Sequence, residues 1–459
     1  MEKLNITSVG KEVPSFLESP VQNKPVEINS LVTNTVDVKF QALRKWVLDN
    51  GGTVNEKLGL KLISEGNRAV YATDTIQASE PVLKIPDIVC IGRNKIKSVP
   101  GIDKLTKEQL DEHASDTLCI VILMYNIFIL GEKSFYYPFL NIVPSKEEFA
   151  YHPIYQYNAQ RRDLWNKISS KVINYIDTHL KKIDLCYNGV VDINKVINLF
   201  DEKILTYDNV KWCYMILRTR QWNDPGLVPI ADLLQHSNVS NMLLYHDPKS
   251  EINIMTSKTA INKNDLIYDN YGIYDDTSLF SGFGFIEGKP ELDLKEDVMR
   301  IVKLTINTTV DTNKVLGRFK SQELERYFAA HKNFFASNKG LCTWLIEYLR
   351  IAALSESDMK LIAIESTFYD KMISMDNEAK VYSWILSVLA TYDDVNEKHL
   401  GFCKNICETY DANSIEYQMA KLNIIYVDTV KKTIELVVER WNSFITNPFE
   451  TKISIKYPK

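Results

Sequence analysis

The sequence has few cysteines, and their spacing supports neither a disulfide framework nor a metal site. The 459 residues include seven cysteines, an odd number, scattered through apolar surroundings such as "TLCIVIL" and "KWCYMIL". This distribution favours reduced, buried thiols over a disulfide scaffold. Cys403 and Cys407 are close in sequence, but no second pair lies nearby to complete the four ligands of a closed zinc site. We therefore expect no structural metal.

A long hydrophobic run is also absent. The longest apolar stretch, Cys119 to Leu130, is twelve residues long and contains Asn126, whereas a bilayer span needs about 20 residues. This stretch predicts a buried helix instead. The N-terminus has neither the basic start nor the apolar segment of a signal peptide. We therefore expect a soluble intracellular protein, cytoplasmic or nuclear, that does not bind a membrane.

The charge balance has no strong sign. A total of 54 Lys and Arg against 59 Asp and Glu gives a formal net charge of −5. A basic surface for nucleic acid or for an anionic membrane is therefore not expected. With 45% hydrophobic and 25% charged residues, the composition is that of a globular chain with room for two or three domains.

Hydrophobic periodicity divides the chain into three parts. Residues 1–36 predict a polar, weakly ordered tail. Residues 37–290 show the alternation of short strands near both ends and a helical pattern at about 104–210. Beyond residue 291 apolar residues recur every three or four positions, most clearly in "SIEYQMAKLNIIYVDTVKKTIELVVERWNSFI". The predicted fold is α+β: a β-rich domain split by a helical insertion, then an all-α C-terminal domain.

Three stretches contain more polar residues and glycines than a buried core requires. "SEGNRAVYA" places a tight turn before a strand, where the backbone can approach a ligand, although a plain hairpin has the same pattern. "WCYMILRTRQWNDPGLVPIADLLQHSN" predicts a helix that delivers arginines beside a strand-like run. His236 in that run lacks the partners of a zinc ligand. "DLIYDNYGIYDDTSLFSGFGFIEG" is an aromatic stripe, which suits a core or a cationic ligand. Together the stretches suit a small zwitterionic cofactor.

In this order, the stretches resemble those of the SET-domain protein methyltransferases, in the group built like the plant Rubisco large-subunit lysine methyltransferase. "EGNRAVYATDTIQASEPVLKIPD" is similar to the family's opening strands, and "SFYYPFLNIVP" to its "S-x-W-x-P-Y-L-x-x-L-P". "RTRQW" and "VPIADLLQHSN" resemble "R-S-R-A-F" and "V-P-M-A-D-L-I-N-H-S". "NDLIYDNYG" and "FGFIEG" resemble "G-E-x-V-Y-I-x-Y" and "Y-G-F-I-E". The resemblance covers about residues 40–450 and implies a SET domain followed by a substrate-binding helical domain.

The resemblance implies S-adenosylmethionine as the cofactor. Tyr271 matches the tyrosine beside the transferred methyl group and is expected to be catalytic. Arg220 matches the arginine that pairs with the cofactor's carboxylate, a charge-assisted contact. Gln235 and His236 stand where the family has asparagine and histidine. The implied cofactor-binding residues are Glu65, Gly66, Asn67, Arg220, Gln235, His236, Tyr271 and Phe285.

The resemblance also implies a slot for the target side chain. Lysine-directed relatives have an aromatic residue and an alanine where this chain has Trp222 and Ala231, whereas the actin-histidine enzymes have asparagine and tryptophan. A lysine of a non-histone protein is therefore favoured over a histidine of actin. The implied substrate-binding residues are Thr219, Trp222, Ala231, Asp232, Tyr268 and Phe283.

Some positions depart from the family pattern. Asn67 and Ala69 replace two glycines, Asp276 replaces an asparagine, and Phe283 replaces a tyrosine. These substitutions, with Gln235, support an alternative from another class, a non-catalytic protein that grips a partner in the same groove. In either case the protein partner is expected to dock on the C-terminal helices of a monomeric chain.

Overall fold

The structure is a computed structural model that describes residues 30–64, 67–222, 226–287, 298–304, 315–330, 334–359, 372–446 and 454–455. The strands are β1 Thr53–Val54, β2 Leu58–Ser64, β3 Asn67–Ala72, β4 Pro81–Pro86, β5 Gln235–His236, β6 Met242–Asp247, β7 Ile252–Ser257, β8 Tyr268–Asp269, β9 Ile301–Leu304, β10 Phe334–Ser337, β11 Gly340–Cys342 and β12 Ser454–Ile455. The α-helices are α1 Ser30–Asp49, α2 Lys107–Asp111, α3 Ser115–Met124, α4 Tyr137–Leu140, α5 Pro153–Gln156, α6 Ala159–Ile168, α7 Ser170–Ile197, α8 Tyr207–Arg220, α9 Asp276–Phe283, α10 Val315–Ala330, α11 Thr343–Ala353, α12 Met375–Thr409 and α13 Ile415–Thr446.

Short antiparallel strands form most of the β-rich part, as the period-two patterns predict. One sheet has the order β1-β4-β7-β6, and β2 forms a hairpin with β3. Burial alternates along β7, with every second residue buried. The short strands β5 and β8 pair in parallel, with Gln235 opposite Tyr268 and His236 opposite Asp269. This pairing joins two of the three stretches singled out in the sequence.

The helical insertion is built around α3 and α7. All residues of α3 from Thr117 to Met124 are buried, and α3 packs against α7 and α8. The stretch Ser115–Lys133 is, among the described residues, the one helix long and apolar enough to cross a membrane, and about half of it is buried. Its packing inside the insertion is that of a core helix. The 28-residue α7 is capped by Ser169 at its N-terminus and by Asn198, which has a positive φ of 50°, at its C-terminus.

The C-terminal part is not all-α, so that prediction is wrong. A four-stranded sheet with the order β12-β11-β10-β9 accompanies α10 to α13. Every residue of β10 is buried, so the strand shows no alternation by which periodicity could identify it. By contrast, α13 matches its predicted spacing, with Met419, Leu422 and Val430 buried on one side.

The two ends of the described chain both contribute to the core. At the N-terminal end, α1 begins at Ser30, inside the tail expected over residues 1–36, and buries Phe40, Leu43 and Val47; residues 1–29 lie outside the described residues. Near the other end, Met419 and Leu422 of α13 join the same apolar core as the insertion. The C-terminal helices therefore pack on the β-rich part as well as on each other.

Candidate active site

A buried ion pair links the end of α8 to the run after it. Arg220 Nη1 donates to Asp232 Oδ2 at 3.2 Å and to the Asp232 carbonyl oxygen at 3.0 Å. The side chains are 11% and 0% exposed. Burial raises the pKa of Asp232 to about 6, although Arg220 opposes this shift. Arg220 Nε and Asp232 Oδ1 are both buried, and neither has a hydrogen-bond partner among the described residues.

The backbone before Asp232 is strained. Ile230 has a φ of 69° although it is fully buried, a conformation that β-branched residues rarely adopt. The 3₁₀ turn Ala231–Leu233 follows, and the Asp232 N–H donates to the Val228 carbonyl at 3.1 Å. Strain of this kind is concentrated at functional sites. Here it folds the chain back so that Asp232 meets Arg220.

Tyr271 is held through its backbone and through its hydroxyl. Its N–H donates to His236 Nδ1 at 3.1 Å, and its hydroxyl donates to the Leu234 carbonyl. Both bonds result from the β5–β8 pairing, which brings these residues together. Burial raises the pKa of the Tyr271 phenol well above its usual value, so the hydroxyl stays protonated. Because the proton is donated to Leu234, the oxygen keeps lone pairs that can accept from a bound N–H group.

His236 presents a donor that no described residue satisfies. Burial lowers its pKa to about 4, so the ring is neutral at pH 7. Since Nδ1 accepts from Tyr271, the proton is assigned to Nε2. Nε2 is buried and makes no hydrogen bond of ordinary geometry with the described residues, although the Asn238 side chain interacts with the ring closely enough to raise its pKa slightly. A buried donor left in this state costs about 1–3 kcal/mol, so the position favours a ligand with an acceptor.

The amide of Gln235 is used differently from the role that the resemblance implies. Its Nε2 donates to the Arg68 carbonyl at 2.7 Å and to Asn67 Oδ1 at 3.4 Å. The longer stem of glutamine reaches β3 and ties it to β5. The amide nitrogen is therefore occupied by the protein itself, and only Oε1 remains for a ligand.

Aromatic rings enclose Tyr271. Its ring centroid lies 5.3 Å from that of Phe283, 6.5 Å from that of Phe285 and 5.1 Å from that of His236. These tilted and edge-to-face contacts are the favourable arrangements for aromatic pairs. The aromatic stripe thus forms the surroundings of Tyr271, which is itself half-buried and borders the cleft.

A cleft of about 1200 Å³ runs past these side chains. Its floor includes six of the residues proposed from the sequence: Thr219, Arg220, Trp222, Asp232, Tyr271 and Phe283. The C-terminal part also lines the cleft, through Met299, Ile301, Phe335 and Trp344. The cleft therefore lies where the β-rich part, the insertion and the C-terminal part meet.

The remaining sequence-predicted residues lie beside the cleft or outside the described residues. His236 and Phe285 contact the Tyr271 ring, and Gln235 bonds to Asn67; none of these four residues lines the cleft. Ala231 is buried behind it, and the backbone of Tyr268 is bonded to Ser240 and Asn241. Glu65 and Gly66 lie outside the described residues.

Asp276, which departs from the family pattern, has its charge neutralised. Its Oδ2 accepts from Arg300 Nη1 at 2.7 Å, and the side chains are 10% and 8% exposed. Arg300 Nη2 also donates to the Glu287 carbonyl. The substitution is therefore accompanied by a cation from the C-terminal part and gives no sign of a damaged site.

Arg68 is a site residue that the sequence reasoning missed. It lies on β3, is nearly buried, and donates to Glu148 Oε1 at 2.6 Å. Burial lowers its pKa, and the positive charge of nearby Arg220 lowers it further. The two arginines therefore lie near each other, each beside its own carboxylate partner, Glu148 for Arg68 and Asp232 for Arg220. In the sequence, the arginine of "EGNRA" is the signal that could have identified it, because a charged side chain beside a predicted tight turn does not contribute to an apolar core.

Sequence comparison finds distant relatives among methyltransferases. The chain is 21% identical over 463 residues to the actin-histidine N-methyltransferase of Gallus gallus, covering 93% of this chain and 74% of that protein. It is 19% identical over 327 residues to the protein-lysine N-methyltransferase EFM1 of Saccharomyces cerevisiae, covering 61% and 55%. It is 20% identical over 270 residues to SET domain-containing protein 4 of Artemia parthenogenetica, covering 56% and 63%. The chain thus spans less than two thirds of the last two relatives. No protein-family model matches the chain.

Solved structures decide the fold. Rubisco LSMT bound to sinefungin and monomethyllysine matches with a TM-score of 0.50 and 16% identity, covering 90% of this chain and 94% of that one. The SET domain of LSMT bound to lysine and AdoHcy matches with a TM-score of 0.50 and 15% identity, covering 89% and 93%. The chain has a SET-domain fold.

The SET fold confirms the resemblance drawn from the sequence motifs. The mixture of helices and strands expected of a SET domain is also confirmed. Within this SET fold, the β5–β8 pairing and the end of α8 are the elements that assemble Tyr271, His236, Arg220 and Asp232.

Proposed function

We propose that this protein is an S-adenosylmethionine-dependent protein N-methyltransferase that modifies a lysine side chain of a non-histone protein. The observation that supports this most strongly is the position of Tyr271. It borders an open cleft on one side and contacts His236 on the other, whose Nε2 is a buried donor with no partner among the described residues.

The residues around Tyr271 fit the proposed cofactor. The unpartnered Nε2 of His236 and Nε of Arg220 are two donors, as the polar ends of S-adenosylmethionine require. The free Nε of Arg220 is the group that would donate to the cofactor's carboxylate, as the resemblance implies. When bound, the cofactor supplies an activated methyl group on a sulfonium cation. We infer that His236 and Arg220 hold it, with Phe285 packed beside them.

The protein's task toward lysine is to obtain a neutral amine and to orient it. At neutral pH, deprotonating a free lysine costs about 4–5 kcal/mol, given a reference pKa of about 10.4. A buried slot reduces this cost, because desolvation disfavours the ammonium ion. Arg220 neutralises Asp232, so the slot does not carry the net negative charge that would stabilise the ammonium. The lone pairs of the Tyr271 hydroxyl then accept from the amine N–H and fix its direction.

Two lines of support favour lysine over histidine. Trp222 lines the cleft, and the small Ala231 is buried next to the lining residue Asp232, a combination that the resemblance associates with a long, flexible side chain. Among the similar structures, LSMT was solved with lysine and with monomethyllysine, and the yeast relative EFM1 is named as a lysine enzyme.

Histidine is the second candidate target. The chicken actin-histidine N-methyltransferase is similar over 93% of this chain, more than the lysine enzyme EFM1. The neutral slot described above would accept an imidazole without a deprotonation cost. Product analysis must therefore distinguish the two amino acids.

A non-catalytic partner-binding protein is less well supported. It rests on the departures at Asn67, Gln235, Asp276 and Phe283, yet the Asp276 charge is neutralised by Arg300, and Gln235 forms a tie between β3 and β5. For either function we propose that the partner protein contacts the C-terminal wall of the cleft, where Phe335 and Trp344 lie. We propose a monomer acting in the cytoplasm or nucleus.

The direct test is methyl transfer to proteins of a cell extract. Purified protein is incubated with extract and S-adenosylmethionine labelled in the methyl group, and labelled proteins are hydrolysed for amino-acid analysis. We expect label in methyl-lysine, and about a tenth as much or less with the Tyr271→Phe variant at matched concentration. Label in methyl-histidine would select the second candidate. No labelled protein, together with no binding of S-adenosylmethionine by calorimetry, would contradict methyltransferase function altogether.

A further inference from the structure

Among the described residues, one arginine that lines the cleft has no ionic partner. Arg218 lies in the last turn of α8 and is half-buried. Its guanidinium carbon lies 4.4 Å from the centroid of the Phe283 ring. Unlike Arg220 nearby, it makes no hydrogen bond or ion pair with the described residues. A half-buried guanidinium held in place without an anion is an unusual arrangement for a residue with only a structural role.

The guanidinium of Arg218 lies between a glycine and an aromatic ring. A Cβ atom on Gly282 would lie 2.4 Å from Arg218 Nη2 and 3.1 Å from Cζ, so the guanidinium could not keep this position beside a larger residue. The planar group is therefore held between the Gly282 backbone and the Phe283 ring. Phe283 also contacts the Tyr271 ring, with centroids 5.3 Å apart. One aromatic side chain thus separates Arg218 from the proposed catalytic residue.

The surroundings of Arg218 are positive. We define the insertion end of the cleft by Asp116, Thr178, His179, Lys182, Tyr214 and Arg218, which all line it. His179 bonds the Tyr214 hydroxyl at 2.7 Å. Burial lowers the pKa of His179 to about 4, and Arg218 and Lys182 lower it as well, so the imidazole is neutral.

The charges at this end do not cancel. Lys182 is exposed and, like Arg218, has no ion-pair partner among the described residues. Asp116 is the one acidic side chain at the insertion end as defined. Two cations therefore face one carboxylate. Farther along the cleft Asp232 is paired with Arg220, and Asp269 interacts with Lys258, which also lines the cleft, so neither carboxylate offsets the excess.

We propose that Arg218, assisted by Lys182, binds the carboxylate of an aspartate or glutamate that flanks the target residue in the protein substrate. This deepens the proposed function and rests on it. An extended peptide advances about 3.3 Å per residue, so a side chain within about three positions of the target would reach past Phe283 to Arg218. The stacked guanidinium keeps its N–H edge available for a carboxylate. The insertion end of the cleft would thereby select the sequence around the target.

A peptide library tests this subsite. Each peptide has one central lysine, with three randomised positions on each side that exclude lysine and cysteine. One arm measures methylation by the full-length protein with S-adenosylmethionine. The other selects peptides that bind the immobilised protein with S-adenosylhomocysteine present. Sequences are read by mass spectrometry. In both arms we expect aspartate and glutamate to be enriched about fivefold to tenfold at one position, the range for a partly buried charged pair.

The variants assign that preference to Arg218. Arg218→Gln should abolish the acidic enrichment, and Arg218→Glu should replace it with enrichment of arginine. Lys181→Glu is the matched control, because Lys181 is exposed on the same helix as Lys182 but does not line the cleft; it should leave the preference unchanged. If circular dichroism shows that Arg218→Glu has a lower melting temperature than wild type, the preferences of Arg218→Gln and Arg218→Lys are compared with wild type instead.

The two arms separate this proposal from the function on which it rests. Methylation without acidic enrichment, or with enrichment that survives Arg218→Gln, would overturn the subsite and leave the enzyme assignment intact. Acidic selection by binding that depends on Arg218, without methylation of any peptide, would keep the subsite and count against lysine transfer. Absence of acidic enrichment in both arms would overturn the subsite whether or not turnover occurs.

Discussion

At the scale of single residues, Tyr271 is the side chain on which the proposed chemistry depends. Tyr271→Phe removes one hydroxyl and its bond to the Leu234 carbonyl while keeping the ring contacts. If the hydroxyl orients the amine, kcat should fall by roughly tenfold to a thousandfold, or about 1.4–4 kcal/mol. Cofactor affinity and melting temperature should change far less. Turnover, calorimetry and thermal melts of one preparation measure all three.

Tyr245→Phe is the control for that experiment, since Tyr245 is an exposed tyrosine on β6 and is 60% exposed. It should match wild type in every measurement. Normal turnover by a well-folded Tyr271→Phe protein would show that Tyr271 is an aromatic support and not the catalytic residue.

Arg220 is paired with Asp232 and is also proposed to bind the cofactor, and a double substitution separates these two roles. Arg220→Ala alone leaves Asp232 buried and uncompensated, which should lower stability by about 3–5 kcal/mol. Adding Asp232→Asn removes the stranded charge and should recover part of the melting temperature. Cofactor binding should stay weaker in both variants by about 1.5–3 kcal/mol, the usual value of a hydrogen bond to a charged group. Calorimetry with S-adenosylhomocysteine measures it, and wild-type affinity in the double variant would limit Arg220 to neutralising Asp232.

The ordered motifs, through their resemblance to a known family, were enough to identify most of the side chains near Tyr271, because such motifs can be recognised from residue types and order alone. Their partners were not predictable from the same information. Nothing in the sequence shows that Gln235 reaches the Arg68 carbonyl or that Arg220 meets Asp232. These contacts depend on a strained Ile230 and on a parallel pairing between segments about 30 residues apart, which local patterns do not encode.

At the scale of elements, β8 carries a buried carboxylate that makes stability depend on pH. Burial raises the pKa of Asp269 to about 6 from its ordinary value of 3.8. Folding therefore favours the protonated form of Asp269. The stabilisation of the folded state that this provides is fully present below pH 3.8 and is lost as the pH rises through 6. The shift corresponds to at most about 3 kcal/mol. Asp269→Asn removes this loss, so the variant should exceed wild type in free energy of unfolding at pH 8.

Denaturant titrations at several pH values between 4 and 8 check this prediction. The advantage of Asp269→Asn should shrink as the pH falls below 6, because wild type then becomes protonated. Asp163→Asn on α6, where the aspartate is exposed, should show no such trend. A constant difference across the range would mean that Asp269 is not the titrating group.

Elements also show where periodicity stops being informative. The three-and-four spacing of α13 and the alternation of β7 both survive in the structure, because each element has one buried and one less buried side. β10 is buried on both faces, so its four residues offered no pattern to distinguish strand from helix. The all-α expectation for the C-terminal part failed at that element and its neighbours for this reason.

At the scale of the whole molecule, the pair Asp276–Arg300 joins the β-rich part to the C-terminal part. The distance is 2.7 Å and both side chains are nearly buried. Arg300→Ala should lower the free energy of unfolding by about 3–5 kcal/mol, because Asp276 would remain buried without its cation. Asp276→Asn in the same chain should restore much of the loss. The resemblance places an asparagine at this position, so the amide should be tolerated. Equal melting temperatures of the single and double variants would contradict the coupling.

The C-terminal helices also complete the core of the insertion, which predicts what cutting the chain would do. Trp165 is fully buried and donates through Nε1 to Glu416 Oε1 at 2.8 Å, and Asn423 donates to the Ile168 carbonyl at 3.1 Å. Met419 and Leu422 pack into the same apolar core. A chain ending at Pro290 keeps the described residues around Tyr271 yet exposes this apolar surface. It should therefore lose cooperative melting along with methyl transfer.

Co-expression tests whether the loss reflects the missing core or a missing docking surface. Chains 1–290 and 291–459, produced together, should co-purify and regain a cooperative melt, because the buried contacts reform between them. Glu416→Ala in the second chain should weaken this association, since it leaves Trp165 Nε1 buried without an acceptor. Lys421→Ala on the same helix is the control; Lys421 has no ion-pair partner among the described residues. If chain 1–290 alone is soluble, melts cooperatively and methylates protein, the C-terminal helices contribute neither core nor docking. If it folds but does not methylate, they serve the substrate rather than the fold.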